Sequence, residues 1–310
     1  MNLLRRLADG PLRLRSRRGL WAALLAWQTL VLGAGVHFIT RDGDAAQTAE
    51  DIALFLAMVG CSALGALLLI RRYDSVLMQI NTDLTGEIFR QVHSTVGIRN
   101  ALIVGLAKLA DHRDLDTGCH LERISFYCEL LARELAPSHD LIDNHWIESL
   151  QIASTMHDIG KVGVPDSILL KPGPLSAPER RTMELHALIG ADTLMEVRRH
   201  SGHDDLVDMG VEIAMYHHER WYGSWYPFGL ETAHIPLSAR IVALADVYDA
   251  LTSPRVYKEP MSHEAAREII RSSRQTHFDP CVVDAFERVH GRFDRIRKRF
   301  HGSEPARAAA

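Results

Sequence analysis

The stretch "IESLQIASTMHDIGKV", residues 147–162, places apolar residues three and four positions apart and then sets a histidine directly before an aspartate. Apolar residues at that spacing form one face of an α-helix. The same spacing recurs in "ALIVGLAKLADHRD", "HLERISFYCELLARELA", "APERRTMELHALIGADTLMEV", "VEIAMYHHER", "PLSARIVALADVYDAL" and "SHEAAREIIRSS". Turns rich in Pro, Gly and Ser, such as "KPGPLSAPE", separate these stretches, and no long stretch alternates apolar and polar residues. We therefore predict an all-α helical bundle after residue 100.

The composition bounds the classes of protein to which the chain could belong. With 310 residues, 47% of them hydrophobic and 24% charged, the chain can bury a large core. A formal net charge of −4 provides no global basic field, so we expect no nucleic-acid polymer as a partner. The four cysteines form no CxxC pair, and fifteen of the 17 histidines follow residue 100. This dense use of histidine points first to metal binding.

The N-terminal part contains two apolar runs, residues 20–39 and 52–70, neither of which carries a formal charge. A helix needs roughly 20 apolar residues to cross the hydrocarbon core of a membrane, so each run predicts a transmembrane helix. Six arginines precede the first run and Arg71 and Arg72 follow the second, whereas the connector between the runs is acidic. Because positive charge favours the cytoplasmic side, we predict a multi-pass membrane protein with its C-terminal domain in the cytoplasm.

The segment between the membrane and the helical domain carries its own pattern. Val76, Ile80, Leu84, Ile88 and Val92 recur every four residues, which predicts a helix across residues 73–99. Such a helix either pairs with a second copy to form a homodimer or is a spacer packed on the next domain. The predicted organisation is a basic N-terminus (1–19), two transmembrane helices with a short loop (20–72), a helical linker (73–99), the helical domain (100–295) and a tail (296–310).

Side chains able to ligate metal recur along the predicted helices of that domain. The intervals are 29 residues from His157 to His186, 31 from His186 to His217, and 28 from His218 to Asp246. Burying such groups without partners would cost on the order of several kcal/mol each, and a metal centre removes that cost. Imidazole and carboxylate ligands suit iron, manganese, zinc, nickel or cobalt, and a bridged pair of such ions serves displacement at phosphorus. The pattern therefore indicates hydrolysis of a phosphoester.

Four longer motifs carry a resemblance to a known family: "HDIGKVGVPDSILLKPGPL", "ELHALIGADTL", "HHERWYGSWYPFGL" and "IVALADVYDALTSPRVYKEPMSHEAA". They resemble, in order, the HD-GYP subgroup of the HD-domain metal phosphohydrolases, and the likeness covers about residues 100–295. The resemblance implies a helical bundle around a metal centre. It also implies hydrolysis of the bacterial second messenger cyclic di-GMP to pGpG or onward to GMP.

The resemblance also implies roles for individual residues. Asp158, as a bridging ligand, and Lys161, facing the phosphate, would be catalytic. Lys161 would also bind substrate, together with Tyr226 of the signature tripeptide and the basic Arg255 and Lys258. Two divalent transition-metal ions such as iron or manganese would be held by His120, His157, Asp158, His186, His217, His218 and Asp246. Asp116 is the candidate ligand of a third ion, although its side chain is shorter than the Glu that members with three ions carry.

The signature loop departs from the family pattern at two positions. The usual "DGSGYP" is "YGSWYP" here, so Tyr222 stands in place of an Asp and Trp225 in place of the glycine. A tryptophan cannot adopt the backbone conformations or the close approach that glycine allows. Three functions follow from the sequence: a membrane-anchored cyclic di-GMP phosphodiesterase, a signalling or binding module whose altered loop docks a partner, and a hydrolase of another nucleotide phosphoester.

Overall fold

The computed structural model describes residues 12–39, 45–113, 119–254 and 259–301. These residues form helices and turns, and the described part of the chain contains no β-strand beyond two isolated bridges. The prediction of an all-α protein is thus confirmed. The chain divides into two compact units, Met1–Val96 and Gly97–Ala310.

The first two helices among the described residues are α1 (Leu12–Ile39) and α2 (Ala45–Asp111), and α2 continues into the second unit. Within the first unit, the indole nitrogen of Trp27 on α1 donates a hydrogen bond of 3.2 Å to the Ser62 hydroxyl on α2. Among the described residues, one helix, Ala49–Asp111, is long and apolar enough to cross a membrane. The prediction of two spanning helices is therefore supported for one of them.

The second unit packs nine further helices among the described residues around one core. They are α3 (His120–Leu135), α4 (Asn144–Ala153), α5 (Asp166–Leu169), α6 (Ala177–Glu184), α7 (His186–Ser201), α8 (Asp205–Tyr216), α9 (Leu237–Thr252), α10 (His263–Ser272) and α11 (Pro280–His301). Tyr127 of α3 stacks on Phe293 of α11 at 4.4 Å, and Tyr248 of α9 meets Tyr127 edge-on at 5.2 Å. These aromatic contacts place α3 beside α9, the two helices that carry His120 and Asp246.

Short polar side chains begin several of these helices. Asp143 accepts a hydrogen bond from the Trp146 amide at the start of α4, and Asp204 accepts from the Leu206 amide at the start of α8. Such side chains satisfy backbone donors that the first helical turn leaves without partners. The starts of α4 and α8 therefore follow signals that the sequence carries locally.

Two of the stretches with helical spacing are interrupted in the structure: residues 177–197 are divided at Leu185 between α6 and α7, and residues 147–162 are divided after Ala153. Within residues 147–162, helix α4 ends at Ala153. Two 3₁₀ turns follow, Ser154–Met156 and Ile159–Gly163, one on either side of the His-Asp pair. Gly160 explains the second turn, because a Cβ there would lie 1.9 Å from the His186 carbonyl oxygen and 2.4 Å from the Gly190 nitrogen. The turn therefore approaches α7 more closely than any side chain permits.

The variant Gly160→Ala should be destabilised, since its methyl group meets backbone atoms that cannot move aside without shifting α7. A loss of about 1–3 kcal/mol, or more, is expected for such overpacking. The matched control is Gly291→Ala within α11, where a Cβ meets nothing within 4 Å. That control should gain about 0.5–1 kcal/mol from the lower chain entropy of alanine. Thermal unfolding followed by circular dichroism measures both, and a Gly160→Ala protein that melts at the wild-type temperature would contradict the close approach.

Candidate metal centre

The predicted ligands come from the ends of three helices, from the interior of a fourth and from the segment between two 3₁₀ turns. His120 and His186 are the first residues of α3 and α7, and Asp246 lies within α9. His157 and Asp158 lie between the two 3₁₀ turns, while His217 and His218 directly follow the last residue of α8. His120, His157, His186 and His217 are buried. The predicted metal ligands thus lie in two groups. Within each group, the ligand atoms lie within 4.8 Å of one another. The first group is Asp158, His186, His217 and His218, and the second is His120, His157 and Asp246.

The first group is centred on the Asp158 carboxylate. Its Oδ1 atom lies 3.2 Å from Nε2 of His186 and 3.7 Å from Nε2 of His217. Nε2 of His218 lies 3.1 Å from Nε2 of His186. One carboxylate and three imidazoles therefore face a common point.

The second group lies on the other side of the same carboxylate. Oδ1 of Asp246 lies 3.8 Å from Nε2 of His120 and 4.0 Å from Nε2 of His157. Nε2 of His157 is in turn 3.2 Å from Oδ2 of Asp158. Asp158 thus offers one oxygen to each group, which is the arrangement expected of a bridging ligand.

The histidines are oriented by hydrogen bonds at their other ring nitrogen. Nδ1 of His157, His186 and His217 donates to the carbonyl oxygens of Ser154, Met183 and Ile213, at 2.9, 2.7 and 2.9 Å. Each bond keeps the proton on Nδ1 and points Nε2 into the centre, the orientation that metal-ligating histidines require.

Three buried atoms of the centre test whether these residues fit a metal. Nε2 of His157, Nε2 of His217 and Oδ1 of Asp158 have no hydrogen-bond partner among the described residues. Buried polar atoms are rarely left in that state, because each costs free energy without compensation. Cations held among the imidazole and carboxylate atoms would satisfy all three, so the donor set fits metal binding.

Asp249 and Arg123 form a supporting network that sequence reasoning missed. Oδ2 of Asp249 accepts a 2.8 Å hydrogen bond from Nδ1 of His120. The guanidinium of Arg123 binds the same carboxylate at both oxygens, at 2.7 and 2.8 Å. Arg123 and Asp249 are only 1% and 2% exposed, so the pair is buried behind the ligand. The signal that could have revealed it is the matched spacing of His120 with Arg123 and of Asp246 with Asp249, three residues apart on each helix.

Electrostatics favour the charge states that metal ligands need at Asp158 and His217. At His157, in contrast, burial is outweighed by the Asp158 charge, which raises the pKa to about 9, so a metal ion would displace a proton there. Burial alone would raise the pKa of the Asp158 carboxyl, but the charges of Lys161 and His157 outweigh it and hold that pKa well below its usual range. Lys161 contributes directly, since its Nζ lies 2.8 Å from Oδ2 of Asp158. Burial, followed by the neighbouring charge of His157, lowers the pKa of His217 to about 3, so that ring is neutral at pH 7.

The predicted substrate-binding residues are described only in part. The Tyr226 ring lies 4.7 Å from the His218 ring, and burial and the Asp158 charge raise the pKa of its hydroxyl, which stays protonated. The ammonium group of Lys161 lies beside the metal groups, 2.8 Å from Oδ2 of Asp158. Arg255 and Lys258 fall outside the described residues, and so does Asp116, the candidate third-ion ligand.

Comparison with known proteins gives a consistent result. An HD domain family model matches residues 106–282. A probable cyclic di-GMP phosphodiesterase of Vibrio cholerae is 45% identical over 240 residues, covering 76% of this chain and 54% of that protein. A cyclic di-GMP phosphodiesterase of the same species is 46% identical over 205 residues, covering 65% of this chain and 42% of that protein.

A third relative is named for a different substrate. The 3'3'-cGAMP-specific phosphodiesterase 2 of Vibrio cholerae is 39% identical over 217 residues, which cover 68% of this chain and 39% of that protein. The chain therefore spans about half or less of the length of these curated relatives. The family model, in contrast, matches more than half of the chain and contains all seven predicted metal ligands. On this evidence, the chain belongs to the HD domain family and carries a domain of its HD-GYP group.

Proposed function

We propose that the chain is a membrane-anchored, metal-dependent phosphodiesterase that hydrolyses cyclic di-GMP to pGpG, to GMP, or to both, in bacterial second-messenger signalling. The observation that carries the proposal is the convergence of five histidines and Asp246, from separate parts of the chain, around the two oxygens of the Asp158 carboxylate. The names of the relatives support the choice of a cyclic dinucleotide as substrate.

The centre is proposed to hold two divalent transition-metal ions such as iron or manganese. His186, His217 and His218 would hold one ion, His120, His157 and Asp246 would hold the other, and Asp158 would ligate both. When bound, such ions supply Lewis acidity toward the phosphodiester and lower the pKa of coordinated water. Asp116 remains the candidate ligand of a third ion.

The chain's own side chains would position the substrate and balance its charge. Lys161 carries its ammonium group 2.8 Å from Asp158, where it can stabilise negative charge that grows on the phosphoryl oxygens. The protonated hydroxyl of Tyr226 can donate a hydrogen bond to the substrate. Arg255 and Lys258 are proposed to bind the nucleotide phosphates, as the family resemblance implies. The buried backbone bonds of the histidines keep the centre preformed, so little reorganisation is needed on binding.

The two apolar runs are the basis for the proposed attachment to the inner membrane. The helix Ala49–Asp111, which contains the second run, is long and apolar enough to cross a membrane. The helical domain, residues 100–295, would then lie in the cytoplasm. On α2, Ile80, Leu84 and Val92 are each 55–56% exposed, which leaves an apolar face uncovered by the described residues of this chain. A second copy of the chain is the occupant that we propose for residues 73–99, giving a homodimer.

A turnover assay tests the proposed function. Full-length protein in detergent, supplied with Mn²⁺ or Fe²⁺ under reducing conditions, should convert cyclic di-GMP to linear products, and a chelator should stop the reaction. The same assay with 3'3'-cGAMP and with pGpG tests whether the chain instead hydrolyses another nucleotide phosphoester. The name of the third relative favours this alternative. Metal-loaded, folded protein that cleaves none of the three would contradict the proposal and favour the signalling or binding module.

A further inference from the structure

The loop that follows His218 is held in one shape by the glutamate that begins it. The Glu219 carboxylate accepts hydrogen bonds from the amides of Phe228 and Leu230, at 2.8 and 3.1 Å, and so joins the two ends of the loop. Gly223 and Gly229 have φ values of +75° and +69°, which side-chain-bearing residues rarely adopt. The side chains between them are therefore presented in a fixed arrangement.

The loop is also tied to the segment between α10 and α11. The Trp221 amide donates to the His277 carbonyl and the Tyr222 amide to the Thr276 carbonyl, both at 3.0 Å. The Thr232 amide returns a bond of 2.9 Å to the Trp221 carbonyl. This backbone frame gives the loop the rigidity expected of a binding element rather than of a mobile flap.

Within this frame, aromatic rings run outward from the metal groups. The His218 and Tyr226 rings are 4.7 Å apart with planes inclined by 35°, and the Tyr226 and Trp225 rings are 6.1 Å apart and inclined by 38°. The Arg220 guanidinium carbon lies 3.9 Å from the centre of the Trp225 ring. The series therefore begins at a metal ligand and ends at a tryptophan covered by a cation.

Trp225 is placed to receive a planar ligand. Its side chain is 37% exposed although Arg220 covers the ring at contact distance, so part of the indole remains open to solvent. Exposed indole rings are effective stacking partners for nucleobases, because every base has a π-face of matching size. The Arg220 cation supports this stacking surface because it fixes the orientation of the indole ring. The glycine that the family pattern has at this position would offer no such surface.

We propose that Trp225, with Arg220 against its ring, is a stacking platform for a nucleobase of the substrate and therefore a specificity-determining residue. The proposal rests on the proposed function, because it requires a nucleotide whose phosphodiester reaches the metal groups. It assigns the tryptophan to base binding and not to the bond-breaking step. Loss of the platform should thus raise KM and leave kcat nearly unchanged.

The test is steady-state kinetics of full-length protein with cyclic di-GMP and 3'3'-cGAMP. Trp225→Leu, which removes the aromatic face, should raise KM about tenfold, within the range measured for single base–aromatic stacks, and change kcat by less than about twofold. Trp225→Phe, which keeps an aromatic face, should recover most of the affinity. Tyr222→Leu is the matched control, since Tyr222 lies in the same loop and is exposed but its ring is not part of the series that runs outward from His218 through Tyr226 to Trp225, and its KM should equal that of wild type.

Each other outcome has a defined meaning. A wild-type KM for Trp225→Leu, or a loss of kcat without a change in KM, would overturn the platform. If thermal melting shows that Trp225→Leu does not fold, Arg220→Gln replaces it, and a KM rise of about threefold is required. If wild-type protein cleaves neither cyclic dinucleotide, the proposed function fails separately. Quenching of tryptophan fluorescence by GMP, compared between wild type and Trp225→Phe, then decides whether a base stacks at this position.

Discussion

Replacing Asp158 by asparagine should lower kcat for cyclic di-GMP by a factor of about 10³ or more. The two carboxylate oxygens of Asp158 face the two metal groups separately, at 3.2 Å from Nε2 of His186 and 3.2 Å from Nε2 of His157. Asparagine has nearly the same shape, but it replaces one anionic oxygen with an NH₂ group that donates hydrogen bonds and cannot ligate a cation. At least one ion should therefore be lost. Turnover and metal content, measured on the same sample, check both effects.

Asp166→Asn is the matched control for this variant. Asp166 follows Asp158 by eight residues, carries the same chemical change, and forms an ion pair of 2.5 Å with Arg113 at 66% exposure. Because exposed ion pairs contribute little, wild-type activity and metal content are expected. An Asp158→Asn protein that keeps its full metal content and more than about a tenth of wild-type kcat is incompatible with a bridging role.

Replacing Asp249 by alanine should lower the free energy of unfolding by about 3–5 kcal/mol, the usual cost of leaving one member of a buried ion pair without its partner. Arg123 is 1% exposed and would keep its charge in the core after the carboxylate is removed. His120 would lose the acceptor of its Nδ1 proton, which lies 2.8 Å from Oδ2 of Asp249 in the structure. Metal affinity should therefore also fall, by about 10- to 100-fold.

Glu268→Ala is the control for the stability effect, because Glu268 pairs with Arg271 at 2.7 Å while both side chains are about 60% exposed. A change of less than about 0.5 kcal/mol is expected for it. Denaturant unfolding followed by circular dichroism compares the two variants. Equal effects of Asp249→Ala and Glu268→Ala would contradict a buried supporting network.

The Asp249 network should also contribute to the pH dependence of the free energy of unfolding. Burial alone would raise the pKa of the Asp249 carboxyl, but hydrogen bonds from Arg123 and His120 outweigh it and lower that pKa to about 2. The ordinary value in an unfolded chain is about 3.9. The contribution of Asp249 is therefore complete above about pH 4 and is lost as the pH falls toward 2. In Asp249→Ala, the decline of stability over this acidic range should be shallower than in wild type.

The helical class could be predicted from the sequence because apolar spacing reports it directly, and the described residues confirm it. The break at Ala153 could not be predicted, since the apolar spacing of residues 147–162 continues through it. The 3₁₀ turn after the His-Asp pair is set by the approach of Gly160 to the backbone of α7, a contact between segments about 26 to 30 residues apart in the chain. Local patterns carry no information on such a contact.

The candidate ligands could be chosen from the sequence by residue type and by family resemblance, and the structure places all seven of them in two adjacent groups. Their roles in metal binding and catalysis stay predictions. Arg123 and Asp249 were missed because their three-residue spacing from His120 and Asp246 does not by itself show that residues 126 positions apart form an ion pair. Taken alone, each residue has the pattern of an ordinary charged side chain on an amphipathic helix. Their meaning appears only once α3 lies beside α9.

The most direct measurement of the central claim is a metal titration of metal-stripped, full-length protein, with bound ions and turnover of cyclic di-GMP recorded on the same samples. Two tightly bound Mn²⁺ or Fe²⁺ ions per chain are expected, with a rate that recovers fully only when the second ion is bound. A folded protein that binds no ion tightly, or one that hydrolyses cyclic di-GMP equally well without metal, would contradict the central claim.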